Sequence, residues 1–172
     1  MKTFPPKKRT SAGHPMMNSE YIRHAEASDA ARIAEIFVTN YRVNFYPFFH
    51  NDEFYFGELN VMDTAAGYAP GSEALAHTFV YDDGVVKGFV RVKDREVEKL
   101  FVEPQFQSGG IGARLLEFAA ESFGADRLWV LEYNRRGIDF YRRHGFELTG
   151  KKIIEDEWVP LLEMKRNKAK DY

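Results

Sequence analysis

The sequence contains no cysteine. A disulfide scaffold, a cysteine-ligated zinc site and a thiol nucleophile are therefore excluded, and a reducing compartment fits. An excess of charge of one sign is also missing. Lys and Arg number 24 and Asp and Glu 26, a formal net charge of -2. The chain as a whole raises no field that would gather nucleic acid. No apolar run approaches the roughly 18 residues of a membrane helix. His14, His24, His50, His77 and His144 lack metal-ligand spacing, and there is no H-E-x-x-H, so no metal is expected. The G-x-S-x-G elbow of serine hydrolases is absent too. The opening "MKTFPPKKRTSAGHPMMNSE" has no apolar core of a signal peptide. These absences point to a cytoplasmic protein with neither nucleic acid nor membrane as partner.

What remains is the material of one domain. At 172 residues a chain can bury roughly 70% of its unfolded surface without staples. Residues 1–19 read as a flexible leader, 20–166 as the domain and 167–172 as a fraying tail. Tyr21 to His24 reads as a short strand. Ser28 or Asp29 can then cap a helix whose Ile33, Ile36, Phe37 and Tyr41 share a face. Pro47 ends it. The run "YRVNFYPFFHNDEFYF" is too aromatic for a solvated loop and should pack. Asp83-Gly84 is a hairpin signal, and Lys93-Asp94-Arg95 a second tight turn. Together they make a meander whose last strand, from about Val97, stops at Pro104. Ile111, Leu115, Phe118 and Ser122 form a helical stripe closed by Gly124. "DRLWVLEY" is a strand. "NRRGIDFYRRHGF" is a helix with Asn134 as a candidate cap, and two more strands follow. The class is α+β or mixed α/β around one sheet.

The chemistry-bearing stretch is "VEPQFQSGGIGARLLEF", Val102 to Phe118. Its layout is strand, glycine-rich loop, helix. The first helical amides have no partner within the helix, and the dipole adds positive charge there. Glycines let such amides approach an anion closely. A turn with no ligand is the bland alternative. The P-loop pattern fails, because neither Lys nor Ser/Thr follows Gly112 in place. The dinucleotide pattern G-x-G-x-x-G fails after Gly110-Ile111-Gly112.

Gln107, Gly110 and Gly112 make a Q-x-x-G-x-G that follows "LFVEP" and opens a helix. This resembles motif A of the GNAT acetyltransferase superfamily. Downstream, Asn134, Tyr141 seven residues later and Gly145-Phe146 resemble its motif B. The resemblance spans about Tyr21 to Arg166. It implies a single-domain GNAT fold: a mixed, mostly antiparallel twisted sheet of six to seven strands with helices on both faces. It implies acetyl transfer from acetyl-CoA to a primary amine, by direct attack in a ternary complex. The acceptor would be a small molecule or a peptide. A non-catalytic CoA-binding module and a longer acyl donor are the alternatives.

By the same resemblance, the amides of Ser108, Gly109, Gly110, Ile111, Gly112 and Ala113 would hold a pyrophosphate, with Gln107 at the family's Q/R position. Leu100, Phe101 and Val102 would pair with the pantetheine arm, and an amide of Phe101 or Val102 would polarise the thioester. Asn134 would contact the cofactor, cap its helix, or do both. Tyr141 falls where the family places its general acid, and a phenol stays protonated at neutral pH. Glu96 and Glu98 are candidate bases, with Glu132 a third; strand alternation puts Glu96 and Glu98 on the face of Leu100 and Val102 unless a bulge intervenes. The region of Tyr46, Phe48, Phe49, Phe54 and Tyr55 would wall the acceptor pocket, with Asp52 and Glu53 near a cationic amine. Many family members pair, so a homodimer follows by analogy alone.

Overall fold

Period-two runs make the strands here, and apolar stripes make the helices that cover them. The computed structural model describes residues 20–167. The expected leader and residues 168–172 lie outside them. Strand β1 is Ile22–His24, and helix α1 is Ala30–Asn44. Short helices follow: α2 Tyr46–Phe49, a π-helical turn Glu53–Glu58, α3 Val61–Ala66 and α4 Glu73–Ala76. Then come β2 Thr78–Asp82, β3 Val86–Lys93, β4 Glu96–Val102, α5 Ile111–Phe123, β5 Arg127–Leu131, α6 Arg135–Arg143, β6 Phe146–Glu155 and β7 Val159–Arg166. The sheet has seven strands in the order β1-β2-β3-β4-β5-β7-β6. Among the described residues only the β4–β5 pair is parallel. Among the described residues no helix is long and apolar enough to cross a membrane.

Strand alternation divides the core. Ile33 and Ile36 of α1 bury Val80, Val86 and Phe89 on one face. Ile111, Leu115, Leu116 and Ala119 of α5, with Ile138 of α6, bury Val90, Val92, Leu128, Val130 and Met164 on the other. Gly124, in the left-handed conformation, ends α5. The cap of α1 differs from expectation. Asp29 stands at the cap position but makes no cap bond. Its carboxylate accepts instead from the Glu26 amide and the Arg23 guanidinium. Pro47 opens α2, which ends at the left-handed His50, and the chain restarts in short helical turns beyond it. Arg42 holds this segment to α1 by donating to the carbonyls of Tyr55 (2.8 Å) and Leu59 (3.2 Å).

Two features of β4 shape the site. First, Arg91 faces Lys99 and Val92 faces Val97, so Glu98 is an extra residue with no partner on β3. Such a bulge bends a strand and adds twist. It also corrects the simple alternation. Leu100 and Val102 pack on the α5 side with Val97, and Phe101 packs on the α1 side. Glu98 bonds Arg91 (2.8 Å), and Lys99 reaches the Tyr41 hydroxyl of α1 (3.0 Å). Glu96, adjacent to Val97, points to the α1 side too. Neither glutamate shares the face of Leu100 and Val102. Second, β4 pairs with β5 only at Glu96–Arg127 and Val97–Leu128. Beyond Val97 the two strands part.

Gly88 on β3 lies opposite Val102. A Cβ there would sit 2.9 Å from the Phe101 carbonyl oxygen, with Leu115 and Val102 each at 3.3 Å. The backbone oxygen cannot give way, so Gly88→Ala should lose about 1–3 kcal/mol of stability to overpacking. Urea denaturation measures it; an unchanged midpoint would contradict the close approach.

Candidate active site

The parted strands open a cavity of about 280 Å³. It runs from Leu100, Phe101 and Val102 to the glycine loop on one side and α6 on the other. Ser108 (φ 66°) and Gly110 (φ 90°) both take positive φ, and Gly110 is the N-cap of α5. The loop therefore turns sharply and presents the start of α5 to the cavity. A Cβ at Gly112 would meet only ordinary contacts, 3.5 Å from Phe140 and 3.7 Å from Val102. Packing does not demand a glycine there.

Arg136 of α6 donates to the Ser108 hydroxyl (3.1 Å) and ties the helix to the loop. The lining carries Arg136 and Arg143 and no carboxylate. With the helix N-terminus this suits a polyanion. Asn134 caps α6, its Oδ1 accepting from the Gly137 amide at 2.9 Å, and it also lines the cavity. Both roles weighed for it are thus open to it at once. Tyr141 lines the cavity between Phe140 and Phe146. Burial pushes its phenol above the ordinary value, which keeps the proton on.

The cavity gathers Leu100, Phe101, Val102, Gln107, Ser108, Gly110, Gly112, Ala113, Asn134 and Tyr141. Gly109 and Ile111 are not in its lining; the Ile111 side chain is buried in the α5 core. Glu96, Glu98 and Glu132 stand outside it. Glu132 is held by Lys152 at 2.9 Å, and Glu98 is held by Arg91. Glu96 is looser, 3.8 Å from Arg127. Burial raises its pKa above the ordinary carboxylate value, with Arg127 opposing and Glu98 and Glu163 adding to the rise. Sequence reasoning missed Asn40 and Asn44, which line the cavity from α1. The signal was present for Asn40, a polar residue on an apolar stripe.

The direction of the strand amides can be worked out. The Glu103 amide donates to the Lys87 carbonyl of β3 (2.8 Å). Across a trans peptide the preceding carbonyl points the other way. The Val102 carbonyl therefore faces the opening, where Asn40 and Gln107 each donate to it at 3.0 Å. In a strand the polar groups of successive residues alternate in direction. Leu100 and Val102 turn theirs into the opening, and Phe101 turns its own towards β3. Of the two amides expected to polarise the thioester, that of Phe101 faces β3 and not the opening.

The aromatic run packs, and Tyr46, Phe48, Phe49, Phe54 and Tyr55 are not in the lining of this cavity. Tyr55 is 1% exposed. Phe49 and Phe54 contact Trp158 at the β6–β7 turn, with centroids 4.7 and 5.5 Å apart. Phe48 stacks on Tyr133 after β5 at 5.4 Å. The Tyr46 hydroxyl donates to Asp52 (2.8 Å).

Residues 74–148 match the family described as "Acetyltransferase (GNAT) domain". An uncharacterised N-acetyltransferase of Bacillus subtilis, YjcF, is 31% identical over 53% of this chain and 69% of its own length. The chain belongs to the GNAT superfamily. GNAT relatives also include the peptidyl-lysine N-acetyltransferase YjaB of Salmonella typhimurium, 30% identical over 51% of this chain and 61% of that protein. For YjaB of Escherichia coli the figures are 29%, 42% and 50%. The chain thus matches less than two thirds of the length of either YjaB. The GNAT fold itself is matched over nearly its full extent. The solution structure of Escherichia coli YjaB superposes with a TM-score of 0.69 at 21% identity, covering 86% of this chain and 97% of that one. A Thermoplasma acidophilum PaiA N-acetyltransferase solved with coenzyme A gives 0.57 at 20% identity, covering 84% and 97%.

Proposed function

We propose that the protein is an N-acetyltransferase that moves the acetyl group of acetyl-CoA to a primary amine by direct attack in a ternary complex. One observation carries the reading most: a single cavity joins the α5 N-terminal loop, the unpaired edge Leu100–Val102 and the half-buried Tyr141. The residues fit the co-substrate. The loop amides, Arg136 and Arg143 suit its phosphates, and the free strand edge suits its amide-bearing arm. Acetyl-CoA supplies an activated acyl carbon on a thiol leaving group.

The protein's own part follows from position. Val102 lies beside Gln107 at the loop, and Leu100 is two residues, roughly 7 Å, further along the strand. The thioester carbonyl is therefore assigned to the Leu100 amide, which stabilises the oxygen as charge develops. Glu96 takes a proton from the ammonium through water, because it stands on the α1 side of the sheet. The amine nitrogen then bonds to the acyl carbon, the C–S bond breaks, and the nitrogen releases its second proton to solvent. Tyr141 gives its proton to the departing sulfur and regains one from solvent. The names of the YjaB relatives make a lysine side chain the first acceptor to try. Cytoplasmic location and homodimer pairing are carried with the reading by family analogy.

A thermal-shift titration with CoA and acetyl-CoA, then thiol release with an amine panel, tests the proposal. At a hundredfold excess over Kd the stability gain should be about 2.7 kcal/mol. No shift with either ligand would sink it; binding without turnover would favour a CoA-binding module. Gly110→Val forces a branched side chain into positive φ, a strain of about 1–3 kcal/mol. CoA affinity should then fall about tenfold. Unchanged affinity would remove the loop from the binding site.

A further inference from the structure

Asn40 is polar where the period of α1 calls for an apolar residue. It shares the stripe of Ile33 and Ile36 and is 2% exposed. A buried amide costs free energy unless its hydrogen-bonding atoms find partners. Its Nδ2 donates to the Ile36 carbonyl (2.9 Å), one turn back in the same helix. Its other bond is different in kind. It crosses to the Val102 carbonyl (3.0 Å), on a strand 62 residues away. Gln107 Nε2 donates to the same oxygen at 3.0 Å, so both lone pairs of that carbonyl are filled. The Asn40 Oδ1 receives only long bonds of 3.3 Å from Asn44 and Gln107.

We infer that Asn40 is a positioning residue for acyl transfer: it grips the Val102 carbonyl, keeps the β4 edge open, and aims the Leu100 and Val102 amides at the thioester. The inference rests on the acetyltransferase reading above. An unpaired strand edge tends to recruit another strand, and β5 is the neighbour at hand. With both lone pairs of Val102 occupied, that carbonyl cannot accept from β5. Nor does a bare lone pair face the oxygen on which negative charge develops. The edge is left presenting donors, the polarity the reaction needs. A leucine at position 40 would pack on the stripe but could do none of this.

Two variants test it. Asn40→Asp keeps the size and removes the donor; Asn40→Ser is too short to reach Val102. Calorimetry gives the CoA Kd. Two further readouts are turnover with the best amine and the ¹⁵N shift difference at Leu100 and Val102 between CoA-bound and acetyl-CoA-bound protein. The second needs no acceptor. We expect turnover to fall tenfold or more and the shift difference to fall below half in both variants, with the CoA Kd rising by less than turnover falls in Asn40→Ser, which adds no charge to the cavity. Turnover within threefold of wild type, or an unchanged shift difference, overturns the inference. So does a loss of Tm alone, which would make Asn40 a packing residue. If the wild-type protein binds no CoA, the acetyltransferase reading fails instead; if it does and the variants match it, only the role of Asn40 fails.

Discussion

Tyr141→Phe lowers kcat about 10²-fold or more, within the range for a lost general acid, and leaves the CoA Kd and Tm in place. The reasons are geometric. Phenylalanine keeps the ring that packs between Phe140 and Phe146. Among the described residues the Tyr141 hydroxyl has no hydrogen-bond partner, so the fold loses no bond when it goes. Tyr141 lines the cavity, and a hydroxyl there that serves no neighbour is free to serve a ligand. Burial raises its pKa, so any alkaline limb belonging to it lies above the ordinary phenol value of about 10. The test is kcat across pH 6 to 10 for both proteins. A Phe variant within threefold of wild type throughout would remove Tyr141 from the chemistry.

Glu96→Gln gives the second large effect. As a base Glu96 works only when deprotonated, so kcat/KM rises with pH through its pKa. Burial lifts that pKa, Glu98 and Glu163 add to the rise, and Arg127 opposes it. The acid limb should therefore sit above the usual carboxylate value of about 4.3. Glutamine should flatten the limb and lower kcat/KM about 10²-fold. Stability gives an independent check of sign. A carboxyl whose folded pKa is raised binds more protons folded than unfolded between the two values. Stability due to it is present at low pH and lost as pH rises through that window. The Gln variant should thus gain Tm relative to wild type above the window and not below it. If Glu98→Gln flattened the limb and Glu96→Gln did not, the assignment would pass to Glu98.

Much of this site was legible in the sequence because its signals are local. Gln107, the glycine loop, Asn134 and Tyr141 lie within two short windows, each with its own spacing. The strands, both tight turns and the α5 stripe are local patterns as well. What escaped depends on distant partners. The bond from Asn40 to Val102 spans 62 residues, and nothing beside Asn40 names its target. Gly88 looks like any weak point in a strand until the Phe101 carbonyl lies against it. The bulge at Glu98 cannot be read from β4 alone, since a bulge is a mismatch between two strands. Missing it misplaced both glutamates, because a period of two carries a one-residue slip to every later position. The cap expected of Asp29 lies one turn earlier: its carboxylate closes a capping box with Glu26 before α1 and also binds Arg23, a partner that local sequence does not name.

Glu98 also bears on how such a site could arise. It is the residue by which β4 exceeds β3, and it stands where β4 leaves β5. Without it, Val97, Lys99 and Leu100 would alternate in regular order. The strand would have no cause to bend, and its edge could go on pairing with β5 down its length. A one-codon deletion would then leave every named binding residue in the sequence and still close the groove that joins them. Here the length of one strand relative to its neighbour would be as much an inherited trait of the groove as the side chains that line it.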